Sequence, residues 1–267
     1  MDIHETARKG FQQGSAYDAY RPSYSDETID FVLDLIRKVE ILTEQEHNIK
    51  YDIVELGAGT GKFSRKLFSK IKQERFLATE PLAGFLETLK EQSPDVESLQ
   101  CAAHDIPLPD KSVKAFICAQ SFHWFANVKS LTEIDRVLVP NGVLVMVWSL
   151  HDESVPWVSE LLTQLKTYMK GNPPSNLFDG TWSDVFKTSN LFKLIEDKKI
   201  DDDSVGGTVD YLLEMFSTFS FIKSMETDEK SRVLSEFRQI IEKYHPNSSY
   251  VNLANYFHVI CYKKIIK

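Results

Sequence analysis

Three glycines at alternate positions follow an acidic residue in the segment best suited to bind a ligand. Residues 51–61 form an apolar, strand-like run that ends in the spaced glycines Gly57, Gly59 and Gly61, with Glu55 two places before the first of them. Because glycine has no side chain, such a turn lets the backbone approach a ligand closely. The glycines are spaced differently from those of the dinucleotide fingerprint and of the phosphate loop. The segment is therefore predicted to bind a nucleotide-like ligand without a diphosphate anchor.

A second acidic residue follows at a distance that suits ribose binding. Glu80 lies 25 residues after Glu55 and comes directly after Arg75–Thr79, which reads as a second strand. A carboxylate at the end of a second strand can accept hydrogen bonds from both hydroxyl groups of a ribose. Taken alone, Glu80 could equally be a solvated loop acid. The glycine turn at the appropriate distance favours the ribose-binding interpretation.

The segments around these residues alternate between strand-like and helix-like patterns, which predicts an α/β fold with a parallel sheet wound by helices on both faces. Ligand groups in such folds gather at the carboxyl ends of the strands. The predicted strands are Tyr51–Leu56, Arg75–Thr79, Ser98–Ala102, Val113–Ala119, Val143–Ser149, Phe192–Asp202 and Asn255–Lys264. The predicted helices are Ser25–Val39, Thr60–Ile71, Leu82–Gln92, Ser130–Leu138, Val155–Met169, Val209–Phe221 and Asp228–Tyr244, and Pro140-Asn141-Gly142 is predicted to form a turn.

The length and composition indicate the number of domains and argue against several classes of protein. The 267 residues suit a single domain, 1–267, with cap helices in 1–42, a ligand-binding core in 50–150 and a helical insertion, or lid, in 203–246. A net charge of -8 with scattered basic residues argues against nucleic acid as a partner. The sequence lacks a signal-like start and long apolar runs, so a cytoplasmic protein is expected, without membrane segments or an obligate protein partner.

Two further stretches carry a specific resemblance. Residues 11–24 contain a Phe-x4-Ala-Tyr-x2-Tyr-Arg-Pro-x-Tyr pattern, and residues 120–125 read Gln-Ser-Phe-His-Trp-Phe. Together with the glycine turn and the Arg-Val-Leu-x-Pro-x-Gly run at 136–142, they resemble the class I S-adenosylmethionine (SAM) methyltransferases of type 11, in particular the subgroup that includes fungal trans-aconitate methyltransferase. The resemblance implies a Rossmann-like, seven-stranded and mostly parallel sheet with a C-terminal antiparallel hairpin. It also implies SAM as the cofactor and S-adenosylhomocysteine as its product.

The resemblance assigns cofactor-binding roles position by position. Glycine turn residues would contact the methionine part of SAM, Glu80 its ribose, and residues after strands three and four its adenine edge and sulfonium end. His104 stands where relatives often have an acidic residue, so this position departs from the family pattern. Asp105, the next residue, could partly supply the side-chain contact to the adenine amine. Arg21 is expected either to clamp a carboxylate, that of the methionine part of SAM or of an acidic substrate, or to pin the N-terminal segment through a salt bridge. Tyr20 is expected either to close over the cofactor or to be a core aromatic of the N-terminal cap. The full predicted set is Tyr20, Arg21, Glu55, Gly57, Ala58, Gly59, Gly61, Glu80, Pro81, Ala103, His104, Asp105, Ala119 and Gln120.

The implied reaction is in-line transfer of a methyl group to an oxygen, carboxylate or hydroxyl, of a small molecule. His123 is the catalytic candidate, since a histidine titrating near neutrality can remove a proton from an acceptor. The alternative is that its imidazole is hydrogen-bonded structurally. His151 reads as a loop residue, and the histidines show no metal-ligand spacing, so no metal is expected. The predicted acceptor-lining aromatic residues, which could equally be core, are Trp124, Trp148, Phe216 and Phe219.

Two other functions remain possible at the level of sequence. An NAD-type oxidoreductase would also place glycines after a first strand, but the spacing counts against it. A non-catalytic protein of the SAM-binding fold could instead bind a partner through the helical insertion. The intact glycine turn favours the methyltransferase interpretation over both.

Overall fold

Runs of Val, Ile, Leu and Phe form the central strands because β-branched and aromatic side chains suit a sheet that is covered on both faces. The computed structural model describes residues 23–40, 48–71, 73–169 and 180–266. The strands are β1 (Tyr51–Leu56), β2 (Phe76–Thr79), β3 (Ser98–Leu99), β4 (Val113–Ala119), β5 (Leu138–His151), β6 (Phe192–Asp202), β7 (Gly206–Gly207), β8 (Val251–Asn252) and β9 (Asn255–Lys264). The helices are α1 (Asp26–Arg37), α2 (Lys62–Phe68), α3 (Ala83–Gln92), α4 (Val128–Val137), α5 (Pro156–Tyr168), α6 (Asp184–Ser189), α7 (Val209–Ser217), α8 (Ser220–Lys223) and α9 (Thr227–Tyr244).

The main sheet contains seven of the described strands in the order β3-β2-β1-β4-β5-β9-β6. Strands β1 to β5 pair in parallel, whereas β9 runs antiparallel to both β5 and β6. The chain reverses its direction of winding between β1 and β4, and open α/β sheets bind ligands outside the carboxyl ends of strands at such a point. The predicted Rossmann-like, seven-stranded fold with an antiparallel C-terminal hairpin is confirmed.

Helices cover the two faces of the sheet with separate sets of apolar side chains. On the first face, α1, α2 and α3 pack on residues such as Ile53, Val147 and Phe257. On the second face, α4 and α6 pack on residues such as Phe116 and Trp148. Helix α1 suits its position because its buried residues recur at helical spacing and the Ser25 hydroxyl accepts the Thr28 N–H at 3.2 Å, which caps the helix. The core therefore fixes the sheet whose carboxyl edge carries the site.

A third apolar cluster joins the segment between β6 and β9 to α5. Leu212 and Phe216 of α7 and Phe237 of α9 are buried against Trp157 and Leu161 of α5. The short strands β7 and β8 pair antiparallel at the base of this segment. The insertion that the sequence predicts at 203–246 thus lies in the chain between β6 and β9 and contains α7, α8 and α9.

Several predicted boundaries are wrong for identifiable reasons. Strand β3 ends at Leu99 rather than Ala102 because the chain turns back there, with the Asp105 N–H donating to the Ala102 carbonyl at 3.0 Å. The predicted turn at 140–142 lies inside β5, where Asn141 adopts a φ of 65° and the pairing with β4 shifts register. The predicted helix Val209–Phe221 is broken because the Thr218 N–H and hydroxyl both donate to the Met215 carbonyl.

Helix α6, the 3-10 turns Phe122–Trp124 and Thr181–Ser183, and strands β7 and β8 were not predicted; each is too short to show a periodic pattern. The N-terminal motif up to and including Pro22 lies outside the described residues. Across the described ranges, none of the helices has both the length and the apolar character needed to cross a membrane.

Candidate active site

The glycine turn after β1 has a backbone that only glycine adopts without strain. Gly57, Gly59 and Gly61 have φ values of 71°, 59° and 83°, in the left-handed region. The Ala58 N–H donates to the Thr79 carbonyl at 2.9 Å, which ties the turn to the end of β2. A Cβ atom at Gly57 would lie 2.8 Å from the Ser121 Cβ, whereas one at Gly59 would have only Phe85 near it, at 3.8 Å. The turn is therefore tightly packed at Gly57 and open to a ligand at Gly59.

The carboxylate of Glu80 bridges this turn and the start of α3. One of its oxygens accepts the Gly59 N–H at 2.9 Å and the other accepts the Leu82 N–H at 2.9 Å. Burial raises the pKa of Glu80 to about 7, against the effect of the two N–H donors, which lower it. Each carboxylate oxygen still has a lone pair after these bonds, so the group can accept ribose hydroxyls while it holds the turn.

Glu55 is buried beside it at the end of β1. The Ser64 hydroxyl on α2 donates to one Glu55 carboxylate oxygen at 2.6 Å, and the other oxygen is buried without a hydrogen-bond partner in the described residues. Burial raises the pKa of Glu55 to about 8, the Ser64 bond opposes the rise, and the nearby charge of Glu80 adds to it. Two acidic groups thus share a poorly solvated site that a positively charged ligand would stabilise.

The raised pKa of Glu55 predicts how stability depends on pH. Between the ordinary value of 4.5 and about 8, this carboxyl binds more protons in the folded chain than in the unfolded chain. Stability is therefore lost as the pH rises through that window. The variant Glu55→Gln stays neutral and keeps an acceptor for Ser64, so we expect its Tm at pH 8 to exceed that of wild type by about 3–8 °C, with little change at pH 5.

Thermal unfolding of the ligand-free protein between pH 5 and 8 measures this difference. The matched variant Glu87→Gln changes an exposed carboxylate on α3 and should reproduce the wild-type curve. A Glu55→Gln curve that runs parallel to wild type across the whole range would contradict the assigned protonation. Some pH dependence should persist in the variant, because the pKa of Glu80 is also raised.

The end of β4 forms the opposite wall of the turn. The Ser121 hydroxyl donates to the Leu56 carbonyl at 2.6 Å, directly before Gly57. Gln120 adopts a φ of 55°, and its side-chain amide donates to the Ser149 carbonyl on β5 at 3.0 Å. Ala119 is buried at the strand end. The structure thus brings the predicted residues at the ends of β1, β2 and β4 together at one edge of the sheet.

The predicted adenine-edge residues lie after β3 at the same carboxyl edge. Ala103 is buried, His104 is half-buried and Asp105 is exposed. The Pro81 carbonyl accepts the Gln100 side-chain amide at 3.0 Å, which links the two loops that would hold an adenine. Tyr20 and Arg21 lie outside the described residues.

His123 lies in a 3-10 turn and packs against the second face of the sheet. Its Nδ1 accepts the indole N–H of Trp148 at 3.3 Å. Burial lowers the pKa of His123 to about 3. A group that binds protons so weakly is a poor base near neutral pH, so the geometry favours the structural alternative. The catalytic role of His123 stays a prediction, with packing against Trp148 as its competing explanation.

Three of the four predicted acceptor-lining aromatic residues are core residues. Trp148 is 1% exposed and packs on Trp182, with ring centroids 4.5 Å apart, and Phe216 is fully buried in the insertion. Phe219 is 9% exposed and faces His151. Trp124 is half-buried at the end of the 3-10 turn. Burial at both positions favours the alternative that Trp148 and Phe216 are core residues, and their role in lining an acceptor pocket stays a prediction.

Other contacts of the site were not predicted from the sequence. Ser64 and Ser121 supply hydroxyl donors, and Leu82 supplies a backbone N–H. Nothing in the sequence around a serine or a leucine marks it for such a contact. The Ser121 bond joins residues 65 positions apart, so it follows from the pairing of strands rather than from a local pattern.

Comparison with known proteins agrees with this geometry. A family model described as a methyltransferase domain matches residues 54–146, which include the glycine turn and strands β2 to β4. An uncharacterized methyltransferase-like protein of Schizosaccharomyces pombe is 34% identical over 224 residues, which cover 84% of this chain and 82% of that protein. This chain belongs to the class I methyltransferases. Membership implies that the methyltransferase depends on SAM as its methyl donor.

Two further proteins are similar to this chain, one in its fold and one in part of its sequence. The solved structure of an Anaeromyxobacter dehalogenans protein assigned as a type II methyltransferase has a TM-score of 0.64 and 20% identity, covering 92% of this methyltransferase and 97% of that chain. A malonyl-[acyl-carrier protein] O-methyltransferase of Methylococcus capsulatus is 31% identical over 96 residues, which are 34% of this chain and 35% of that protein.

Proposed function

We propose that this methyltransferase binds SAM across the Gly57–Gly61 turn and transfers the methyl group to an oxygen of a small molecule. The observation that carries the proposal is the carboxylate of Glu80, which accepts the Gly59 and Leu82 N–H groups at 2.9 Å each and stays buried at the end of β2. A carboxylate fixed beside an open glycine turn matches a ligand that combines a ribose with a positively charged, flexible chain.

The residues present fit that ligand chemically. The open space at Gly59 is a cradle that a side chain would fill, and the buried oxygen of Glu55 without a hydrogen-bond partner in the described residues can accept an amino group. Gly57 and Ala58 would contact the methionine part, Glu80 the ribose, and Ala103 with its neighbours the adenine. Both carboxyl groups have raised pKa values, and a cationic ligand would favour their ionised forms.

The chain's part in the chemistry is positioning and exclusion of water. SAM supplies an electrophilic methyl group on its sulfonium, so the protein needs to hold an acceptor oxygen in line with the bond that breaks. The acceptor would approach from beyond the glycine turn, past Gln120 and the carboxyl end of β5. At that end the rings of Phe216 and Phe219 from the insertion lie against His151, so the insertion would exclude water there.

An oxygen acceptor and a particular subgroup belong to this proposal. The partial similarity to an O-methyltransferase supports oxygen as the acceptor atom. The Gln-Ser-Phe-His-Trp-Phe run at 120–125 supports the subgroup of fungal trans-aconitate methyltransferase. We propose a small molecule rather than a nucleic acid as the acceptor, in keeping with the net charge of -8.

Calorimetric titration with SAM, S-adenosylhomocysteine and NAD tests the donor assignment. We expect micromolar binding of the first two and none of NAD, because the turn suits a ligand without a diphosphate. Binding of NAD in preference to SAM would favour the oxidoreductase alternative. Absence of SAM and S-adenosylhomocysteine binding in a folded sample would overturn the proposal and favour a non-catalytic protein that uses the insertion as a binding surface.

A further inference from the structure

Three polar residues lie directly opposite one another on adjacent strands at the carboxyl edge of β5. His151 of β5 pairs with Asn255 of β9, and Asn255 pairs in turn with Asp202 of β6. Alternation along each strand puts all three on the first face, where Val147, Phe257 and Ile200 are buried. The polar row lies on the same face as Glu55 but farther along the strands. Glu55 pairs with Ile117, Ile117 pairs with Val145, and His151 comes six residues after Val145, about 20 Å along β5.

Hydrogen bonds connect the polar row to the glycine turn. The Asn255 side-chain amide donates to the Ser149 hydroxyl at 3.0 Å and lies 3.5 Å from the Asp202 carboxylate, and both Asn255 and Asp202 are 4% exposed. The Ser149 carbonyl accepts the Gln120 side-chain amide. Gln120 directly precedes Ser121, which packs on Gly57. Polar groups are seldom buried in such a connected set without a structural or functional reason.

The insertion places aromatic rings against the histidine of the row. His151 is half-buried, and its ring is nearly parallel to that of Phe219, at 6° and with centroids 6.5 Å apart. The Phe216 ring meets it edge-on, with centroids 6.0 Å apart. A half-buried imidazole at the end of β5, with aromatic rings of the insertion beside it, is suited to meet a small acceptor beneath the insertion. The interpretation of His151 as a loop residue is wrong, because it is the last residue of β5.

We propose that His151 is the catalytic base for a neutral hydroxyl acceptor that binds beneath Phe219. In the step, the acceptor oxygen forms a bond to the methyl carbon while the bond from that carbon to the sulfonium breaks and its electron pair returns to sulfur. The proton of the acceptor hydroxyl passes to the imidazole of His151 and then to solvent. The inference rests on the proposed function and assigns the acceptor class, an alcohol or phenol rather than a carboxylate.

The charges near His151 support a neutral acceptor. Asp202 lies two strands away, roughly 10 Å, and Asp152 follows His151 directly in the chain. The Asp152 carboxylate accepts the Ser154 N–H at 2.9 Å; this bond lowers its pKa, as does the nearby Lys199 cation to a smaller extent. The negative charges of Asp202 and Asp152 would repel an acidic acceptor. They would stabilise the positive charge that the imidazole gains when it takes a proton.

Two variants separate this role from a structural one. His151→Phe keeps an aromatic ring for Phe219 but removes the base, and His151→Gln keeps a hydrogen-bonding group. The matched control is His258→Phe, which removes an imidazole from β9 that faces Asp197 away from the site. SAM affinity is measured first by calorimetry, so that failure of the donor assignment is seen before any acceptor is added.

The acceptor probes are para-cresol, a phenol, and para-toluate, a carboxylate of nearly the same shape. We expect transfer from methyl-labelled SAM to para-cresol to fall at least 100-fold in His151→Phe, with the Kd for SAM within twofold of wild type and His258→Phe unchanged. We also expect para-cresol to shift the imidazole C–H resonance of His151 in the S-adenosylhomocysteine complex, assigned by its loss in His151→Phe.

Three results would overturn the proposal while leaving SAM binding intact. They are wild-type turnover in His151→Phe, faster methylation of para-toluate than of para-cresol, and neither methylation nor a His151 shift with para-cresol at saturating concentration. A loss of SAM affinity in His151→Phe that matches the loss of turnover would assign His151 to the donor site instead. Failure of wild type to bind SAM would be a failure of the proposed function itself.

Discussion

Replacement of Gly59 by arginine is expected to abolish SAM binding while the sheet stays folded. The residue has a φ of 59°, and the space beside it is open except for Phe85. A long side chain would therefore occupy the cradle rather than collide with the core, although the left-handed backbone adds some strain. We expect the affinity for SAM to fall at least 100-fold, about 2.7 kcal/mol, in calorimetric titration.

The control Ser69→Arg adds the same side chain and charge at the exposed far end of α2, about 10 Å along the helix from the turn. It should bind SAM as wild type does, because a cation at a helix C-terminus is well tolerated. Retained SAM affinity in Gly59→Arg would refute the assigned site. Circular dichroism of the variant distinguishes loss of the ligand from loss of the fold.

Truncation of Trp148 to alanine is expected to give the largest loss of stability. The side chain is 1% exposed, packs on Trp182 and donates its indole N–H to His123. Removal of a buried tryptophan costs about 3–5 kcal/mol, which corresponds to a decrease in Tm of roughly 6–15 °C for a chain of this size. Tyr250→Ala, which truncates an aromatic side chain that is 56% exposed, should change the Tm little.

Trp148→Phe then tests what His123 does. The phenyl ring keeps most of the packing but removes the N–H donor, so His123 loses this bond without being changed itself. If His123 is structural, the Tm decreases by a few degrees and methyl transfer at saturating SAM stays close to wild type. A large loss of turnover with unchanged stability would instead restore the catalytic role predicted for His123.

The buried carboxylates of Glu55 and Glu80 could be predicted only in part from the sequence. The residue types at 55 and 80 and their separation along the chain predict acidic groups near a ligand. The sequence does not show that Glu80 bridges two backbone N–H groups, nor that Glu55 depends on Ser64 across the β1–α2 turn. These contacts, and the raised pKa values, arise only when the strands bury both groups together.

The sequence alone determined the features that depend on neighbouring residues. Alternating glycines require a left-handed turn after β1, apolar periodicity defines most helices and strands, and the run from Phe192 to Asp202 matches β6 as predicted. The short strands β7 and β8 were not predicted, because they form by pairing with each other and show no sequence pattern of their own.

The tertiary structure decided which residues of similar type can meet a ligand. His123 and His151 are both histidines near predicted strand ends, yet the fold buries the first against Trp148 and places the second in register with Asn255 and Asp202. Burial and cross-strand register depend on how segments more than 100 residues apart pair, as His151 and Asn255 do. A single sequence does not encode that pairing in any local pattern, so the acceptor end of the site becomes visible only in the folded chain.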